Sequence, residues 1–225
     1  MADRPPAMLS QDFSHVAHWV FDLDNTLYPP EVRLFDQIER HMHTYVMREL
    51  DVSEMEASHL RERYWRDHGT TLNGLMLNHN IDPGPFLKEV HDLDLSNLSI
   101  DEKLGAAIMG LPGRKIVYTN GSRAHGERVV EARGLSAVFD RIYGVEDAGY
   151  VSKPHRRAFE AVFLRDDLNP DRAAMFEDDP RNLEVPFALG MKTILVGSAP
   201  TARHIEHQTR DLAGFLSQLA GATFS

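Results

Sequence analysis

The stretch "HWVFDLDNTLYPP" (His18–Pro30) decides how the rest of the chain is read. It continues the apolar run that begins at Val16, is rich in strand-forming residues, and ends on Asp22 and Asp24. Core strands rarely finish in paired carboxylates, because unpaired buried charge is costly unless a cation or hydrogen bonds compensate it. Either the pair caps the following turn or something positive sits between the two side chains.

Working outward, further short apolar runs read as strands: Arg114–Asn120 after the turn "LPG", then Ala137–Gly144, Ala173–Asp178 and Lys192–Gly197. Helical patterns separate them. Arg123–Arg133 is closed by Gly134, Pro154–Leu164 has proline at its first helical position, and Pro180–Leu189 is closed by Gly190. Strands alternating with helices imply right-handed crossovers and a parallel sheet with helices on both faces. Ligands of such sheets lie beyond the carboxyl ends of the strands. The first dozen residues read as a loose tail, and Asp211–Gly221 as a short closing amphipathic helix.

Too much chain lies between Asp22 and the strand near Lys115 for one crossover. Val32, Phe35, Ile38, Met42, Tyr45, Val46 and Leu50 recur at three- and four-residue steps as an apolar stripe. "SEME" (Ser53–Glu56) and "SIDE" (Ser99–Glu102) fit the capping box, and Asp82-Pro83 is another helix start. Four or five helices are therefore expected directly after the first strand, hanging over the sheet's carboxyl end as a lid. The expected division is a core of residues 13–28 and 111–225 and a helical cap of residues 29–110.

Bulk composition narrows the function. The 225 residues, 42% hydrophobic and 26% charged, describe an ordinary globular chain with no run long enough to span a bilayer. The absence of cysteine excludes disulfides and thiolate metal sites. With no secretory-type apolar segment, a cytoplasmic protein is expected. The formal charge of −10 opposes binding to nucleic-acid polymers or acidic membranes, but not to a small anion. Twelve histidines show no spacing suited to zinc and read mostly as surface or core-edge residues.

Four motifs should meet at one rim: Asp22 and Asp24; Thr119 in "YTNGS"; Lys153 in "SKPH"; and the acidic cluster of "MFEDDPRN" (Met175–Asn182). Oxygen-only ligands favour a hard ion such as Mg²⁺. A magnesium site with an ammonium and hydroxyl or amide donors suits a phosphoryl group, which an aspartate can attack in line while a nearby acid protonates the leaving oxygen.

In that order these motifs resemble the haloacid dehalogenase superfamily across nearly the whole chain. The insertion resembles its type-1 cap. "FEDDPRNLEVPFALGMKTILV" resembles the last motif of the variant-3 group of subfamily IA, and "DNTLYPP", "HGTTLNGLM" and "VHDLD" point toward its pyrimidine 5′-nucleotidase-like branch. The resemblance implies a Rossmann-like core and a Mg²⁺-dependent phosphomonoesterase. Asp22 would be the nucleophile, and Asp24 the general acid and later base. Thr119, Asn120 and Gly121 would hold phosphate oxygens, and Lys153 would offset negative charge. The metal would lie on Asp22, Asp178 and the Asp24 backbone carbonyl, with Asp179 able to share the Asp178 role. One departure from the pattern is Asn182, where many relatives carry a second aspartate; its amide oxygen can still order a metal-bound water.

His68, Thr70 and Thr71 are candidates to face the substrate from a cap loop, whereas Tyr64 and Trp65 read as packing residues and Arg181 as solvated. The partner expected is a small phosphorylated metabolite, with pyrimidine nucleoside 5′-monophosphates the leading candidates, acted on by a monomer or weak dimer. A phosphomutase or dehalogenase of the same fold is the alternative. A receiver-like phospho-acceptor module fits less well, because its acidic pair precedes a separate phosphorylated Asp and no cap interrupts its first crossover.

Overall fold

The computed structural model describes residues 6–200 and 202–220. Its centre is a six-stranded sheet: β1 His18–Phe21, β2 Arg114–Tyr118, β3 Arg141–Tyr143, β4 Ala173–Glu177, β5 Lys192–Val196 and β6 His207–Thr209. The spatial order is β3-β2-β1-β4-β5-β6, and each neighbouring pair is parallel. The strand order runs outward to one side of β1 through β2 and β3 and to the other through β4 to β6, so the loops after β1, β2 and β4 leave the sheet side by side at a topological switch point.

Successive strand residues feed opposite layers. Trp19, Phe21, Val117, Ala174, Phe176 and Ile194 enter one apolar cluster; Val20, Ile116, Tyr118, Ala173, Met175 and Leu195 enter the other. The first layer is completed by α1 Pro6–Asp12, α6 Glu102–Met109, α7 Arg123–Ala132 and α10 Leu212–Ala220. The second is completed by α8 Arg156–Arg165, with Leu183 and Leu189 flanking α9 Glu184–Ala188. Both faces are covered, which is why the strands read as continuous apolar runs rather than alternating ones.

Between β1 and β2 lie α2 Leu34–Leu50, α3 Glu54–His68, α4 Thr71–His79, α5 Pro83–Val90 and α6. Ser53 caps α3, its side chain accepting from the Glu56 N–H as "SEME" predicts, whereas α6 is capped by Asp101, two residues after the Ser99 that opens "SIDE". Tyr45, Val46, Ala57, Tyr64, Leu72, Leu75, Phe86, Leu87 and Val90 form a separate cluster from α2 to α5, joined by Val145 of the sheet side. Leu34 and Ile38 of α2, and Leu104, Ala107 and Ile108 of α6, belong instead to the sheet's own layer.

Some expectations need correction. The N-terminal dozen is not all loose: α1 forms, with Leu9 and Phe13 buried against α10, because two apolar residues find a partner the local pattern does not show; residues 1–5 lie outside the described residues. β3 is three residues long, since Val138 and Phe139 pack before the strand rather than in it. Helix α8 starts at Arg156, two residues after Pro154. Strand β6 carries His207 and Thr209, and its polar composition hid it. Gly221 of the expected closing helix lies outside the described residues. Among the described residues no helix is long and apolar enough to cross a membrane.

Candidate active site

Lys153 organises the site. Its side chain is buried, with Nζ donating to Asp22 Oδ1 (2.7 Å), Glu177 Oε2 (2.7 Å) and the Tyr118 carbonyl (3.0 Å). One ammonium thus binds together the ends of β1, β2 and β4. Burial alone pushes a lysine pKa down, but Asp22 and Glu177 override it and raise it well above the ordinary range. The loop bearing Lys153 is fixed by reciprocal bonds with Asn120: the Lys153 backbone N–H donates to Asn120 Oδ1 (2.7 Å), and Asn120 Nδ2 donates to the Lys153 carbonyl (3.0 Å).

Asp22, Glu177 and Asp178 bring carboxylate oxygens within 4.8 Å of one another. Burial and the Glu177 charge push Asp22 up to about 7, against the pull of Lys153. Burial raises Glu177 to about 7, with Asp178 adding to the push and Lys153 opposing it. Asp178 rises to about 6 through burial and the Asp22 charge. Three carboxylates face one ammonium, so two negative charges remain to be balanced by protons or by a cation.

The donor set fits a hard divalent ion. It is all oxygen, it is short of positive charge, and Asn182 Oδ1 is buried with no hydrogen-bond partner. Glu177 is the least available of the three: Oε2 accepts from Lys153 and Oε1 from the backbone N–H groups of Asp178 and Asp179 (3.2 Å each). Among the described residues the Asp178 carboxylate accepts only from Asn25 Nδ2, at 3.4 Å. Asp179 is committed elsewhere, capping the turn Pro180–Leu183 and gripping Arg181, whose Nη2 lies 2.6 Å from its Oδ2. Metal-ligand geometry therefore points to Asp178 over Asp179.

Asp24 stands apart from this cluster. Its Oδ1 accepts from Tyr28 Oη (2.7 Å) and faces His125 Nε2 (2.9 Å). Burial would raise its pKa, but the field and hydrogen bond of His125, with the Tyr28 bond, take it below the usual carboxylate range. Thr119 is buried one residue past Tyr118, and its Oγ1 accepts from the Gly121 N–H (2.9 Å). A side chain on Gly121 would press on Thr119, His125 and His91 at 3.1–3.3 Å, so the loop backbone is closely walled.

The cap loop touches the same rim. Thr70 Oγ1 caps α4 and lies 3.4 Å from Ser152 Oγ, which also accepts from Asn73 Nδ2 (2.7 Å). Thr71 is buried, and the His68 ring is engaged by Asn78 (3.3 Å) within the cap. Arg181 is not simply solvated: its guanidinium lies 3.5 Å from the ring centroid of Trp65 on α3, which stays half-exposed. Sequence reading missed Glu177, Tyr28, His91 and His125. Glu177 was hidden inside a run of acids, and the two histidines passed as unremarkable; burial is what sets them apart, and the sequence carries no direct sign of it.

The sheet, the inserted helices and the Asp–Lys–Asp constellation describe a hydrolase built around strand-end acids. Residues 16–190 match the family of haloacid dehalogenase-like hydrolases, and the chain belongs to it. It is 26% identical over 192 residues to phosphate metabolism protein 8 of Saccharomyces cerevisiae, an alignment that covers 78% of this chain but only 60% of that protein. Among solved structures it resembles the magnesium-bound HAD hydrolase YfnB of Bacillus subtilis (TM-score 0.58, 16% identity, covering 91% of this chain and 98% of that one). It also resembles a HAD phosphatase of Thermococcus onnurineus (TM-score 0.58, 15% identity, 88% and 94%) and a 2-haloacid dehalogenase of Pseudomonas syringae (TM-score 0.55, 18% identity, 92% and 99%). At these identities the likeness is one of fold.

Proposed function

We propose that this protein is a Mg²⁺-dependent phosphomonoesterase working through a phospho-aspartate, with small phosphorylated metabolites as substrates and pyrimidine nucleoside 5′-monophosphates as the first to test. The carrying observation is the join of Asp22, Lys153 and Asp178 beside a separate, hydrogen-bonded Asp24. Division into the 13–28 and 111–225 core and the 29–110 cap, with α6 packed on the core, belongs to the same proposal. So do placement in the variant-3 group of subfamily IA, a cytoplasmic location, and a monomeric or weakly dimeric state.

Asp22, Asp178 and the Asp24 carbonyl would hold the ion, which when bound neutralises carboxylate and phosphate oxygens. Asp22 Oδ attacks phosphorus, the ester P–O bond breaks, and Asp24 gives its proton to the departing oxygen. Asp24 then takes a proton from water as that water attacks the phosphorus; the acyl P–O bond breaks and the Asp22 carboxylate returns. Lys153 holds Asp22 in position through the 2.7 Å bond, and Thr119 with the amides of Asn120 and Gly121 cradles phosphate oxygens. Asp24 is held ionised in the free protein. An arriving phosphate dianion raises its proton affinity, which is the direction an acid needs.

Asp24 distinguishes this reading from a dehalogenase, which displaces halide from carbon and needs no proton donor for it. The experiment is phosphate release from a panel of phosphate esters, with and without magnesium, against halide release from 2-haloacids. Halide release without phosphate release would overturn the proposal, and isomerised sugar phosphate in place of free phosphate would make the protein a mutase.

A further inference from the structure

Both hydrogen bonds to Asp24 fall on the same oxygen. Oδ1 takes Tyr28 Oη at 2.7 Å and His125 Nε2 at 2.9 Å, while Oδ2 has no hydrogen bond among the described residues. The Asp24 side chain is 15% exposed and the His125 side chain 0%. An oxygen that already accepts twice is the poorer site for a proton, so a proton carried by Asp24 belongs on Oδ2.

Among the described residues the His125 ring has no other polar partner, its Nδ1 being buried without one. It sits in the first turn of α7, with its backbone N–H on the Ser122 hydroxyl (3.2 Å). Across its face lies His91, the residue closing α5 of the inserted helices: the ring centroids are 4.4 Å apart and the planes only 9° from parallel. His91 is buried and its Nδ1 lies 3.1 Å from Ser122 Oγ. Arg128 Nη1 donates to the His91 carbonyl (2.8 Å) and Nη2 to that of Leu93 (2.8 Å), tying this segment to α7. Arg128 thus holds the backbone of His91 beside α7, Ser122 holds its buried ring, and the ring of His125 cannot turn away from Asp24 on that side without meeting it.

We propose that His125 is a positioning residue for Asp24, and that His91, supplied by the inserted helices, is the buttress that holds His125 in place. Together they aim Oδ2 at the leaving oxygen. The inference rests on the phosphomonoesterase reading and adds that the inserted helices set the geometry of proton donation, besides covering the site. Both histidines are buried, and both act through Asp24.

The test uses the whole protein with magnesium and two aryl esters that differ in their need for an acid: phenyl phosphate, whose leaving oxygen is basic, and 2,4-dinitrophenyl phosphate, whose leaving oxygen departs unprotonated. The readout is kcat/KM, which reports the first transfer. His125→Phe keeps a flat ring under His91 and removes the donor. It should lose roughly 30-fold on phenyl phosphate and less than about threefold on the dinitro ester, a fraction of what a full general acid supplies. His125→Gln, whose amide can donate, should recover most of the loss. His91→Ala should show the same split more weakly, and His91→Phe, which keeps the stack, should restore it. Equal losses on both esters in folded His125→Phe and His91→Ala overturn the inference alone. Wild-type protein that releases phosphate from neither aryl ester nor any other ester of the panel overturns the functional reading and this inference with it.

Discussion

At the scale of single residues, the site is an imbalance held in check by one ammonium. Replacing Lys153 with Met leaves Asp22 and Glu177 buried without their cation. The expected cost is about 3–5 kcal/mol of stability, read from the urea midpoint; a loss under about 1 kcal/mol would show that the acids are protonated or hydrated without it. Asp22→Asn has the opposite profile. It removes one of three crowded carboxylates while Glu177 still holds Lys153 at 2.7 Å. The metal-free variant should therefore melt no lower than wild type while phosphate release falls at least about a thousandfold, as expected for loss of a nucleophile. Retained turnover would remove Asp22 from that role.

Asp22, Asp24, Thr119 and Asp178 could be picked out from sequence because each lies just beyond a strand end, where topology leaves few places for it to go, and Lys153 because "SKPH" sets it just before a helix start. Glu177 could not be told from its neighbours Asp178 and Asp179 by composition. What separates the three is direction: Glu177 turns in to Lys153, Asp178 is left open to a cation, and Asp179 turns back onto Arg181. His91 and His125 lie 34 positions apart, and only packing stacks them.

At the scale of elements, α3, α4 and the turn between them fasten to the sheet side at several points. Asn73 reaches Ser152, the neighbour of Lys153; Trp65 lies against Arg181, three residues past Asp178. Exposed cation–π pairs contribute about 0.5–1 kcal/mol, so Trp65→Ala should leave the melting temperature nearly unchanged. If that contact holds the helices down over bound substrate, KM for the best ester should rise several-fold with kcat changed less than about twofold. An unchanged KM would reduce the pair to surface packing. Helix starts in this region were readable from Ser53 and Asp82, because capping is local chemistry; that α6 packs beside α10 was not, because that contact joins segments about a hundred residues apart.

At the scale of the whole molecule, the raised pKa values of Asp22, Glu177 and Asp178 make metal-free stability depend on pH. The folded protein keeps protons on these groups up to about pH 6–7, whereas the unfolded chain gives them up near pH 4, so the folded state binds more protons in that window and their contribution falls as pH rises through it. Lys153 acts at the other end, its raised pKa holding its contribution until the alkaline range. Magnesium competes with protons for the same oxygens. The rise in melting temperature on adding magnesium to chelator-treated protein should therefore grow between about pH 5 and pH 7.5. A rise independent of pH would place the ion elsewhere.

The sequence by itself determined the parallel sheet with its inserted helices, the strand ends that carry the acids, and the family, because periodicity, caps and motif order are properties of short stretches. Only the tertiary structure decided which acid pairs with Lys153, which is left open for a metal, and that two ordinary-looking histidines are buried face to face behind Asp24. Burial and direction are set by contacts between segments distant in the chain, and in a low-dielectric interior those contacts fix where a charge or a proton resides.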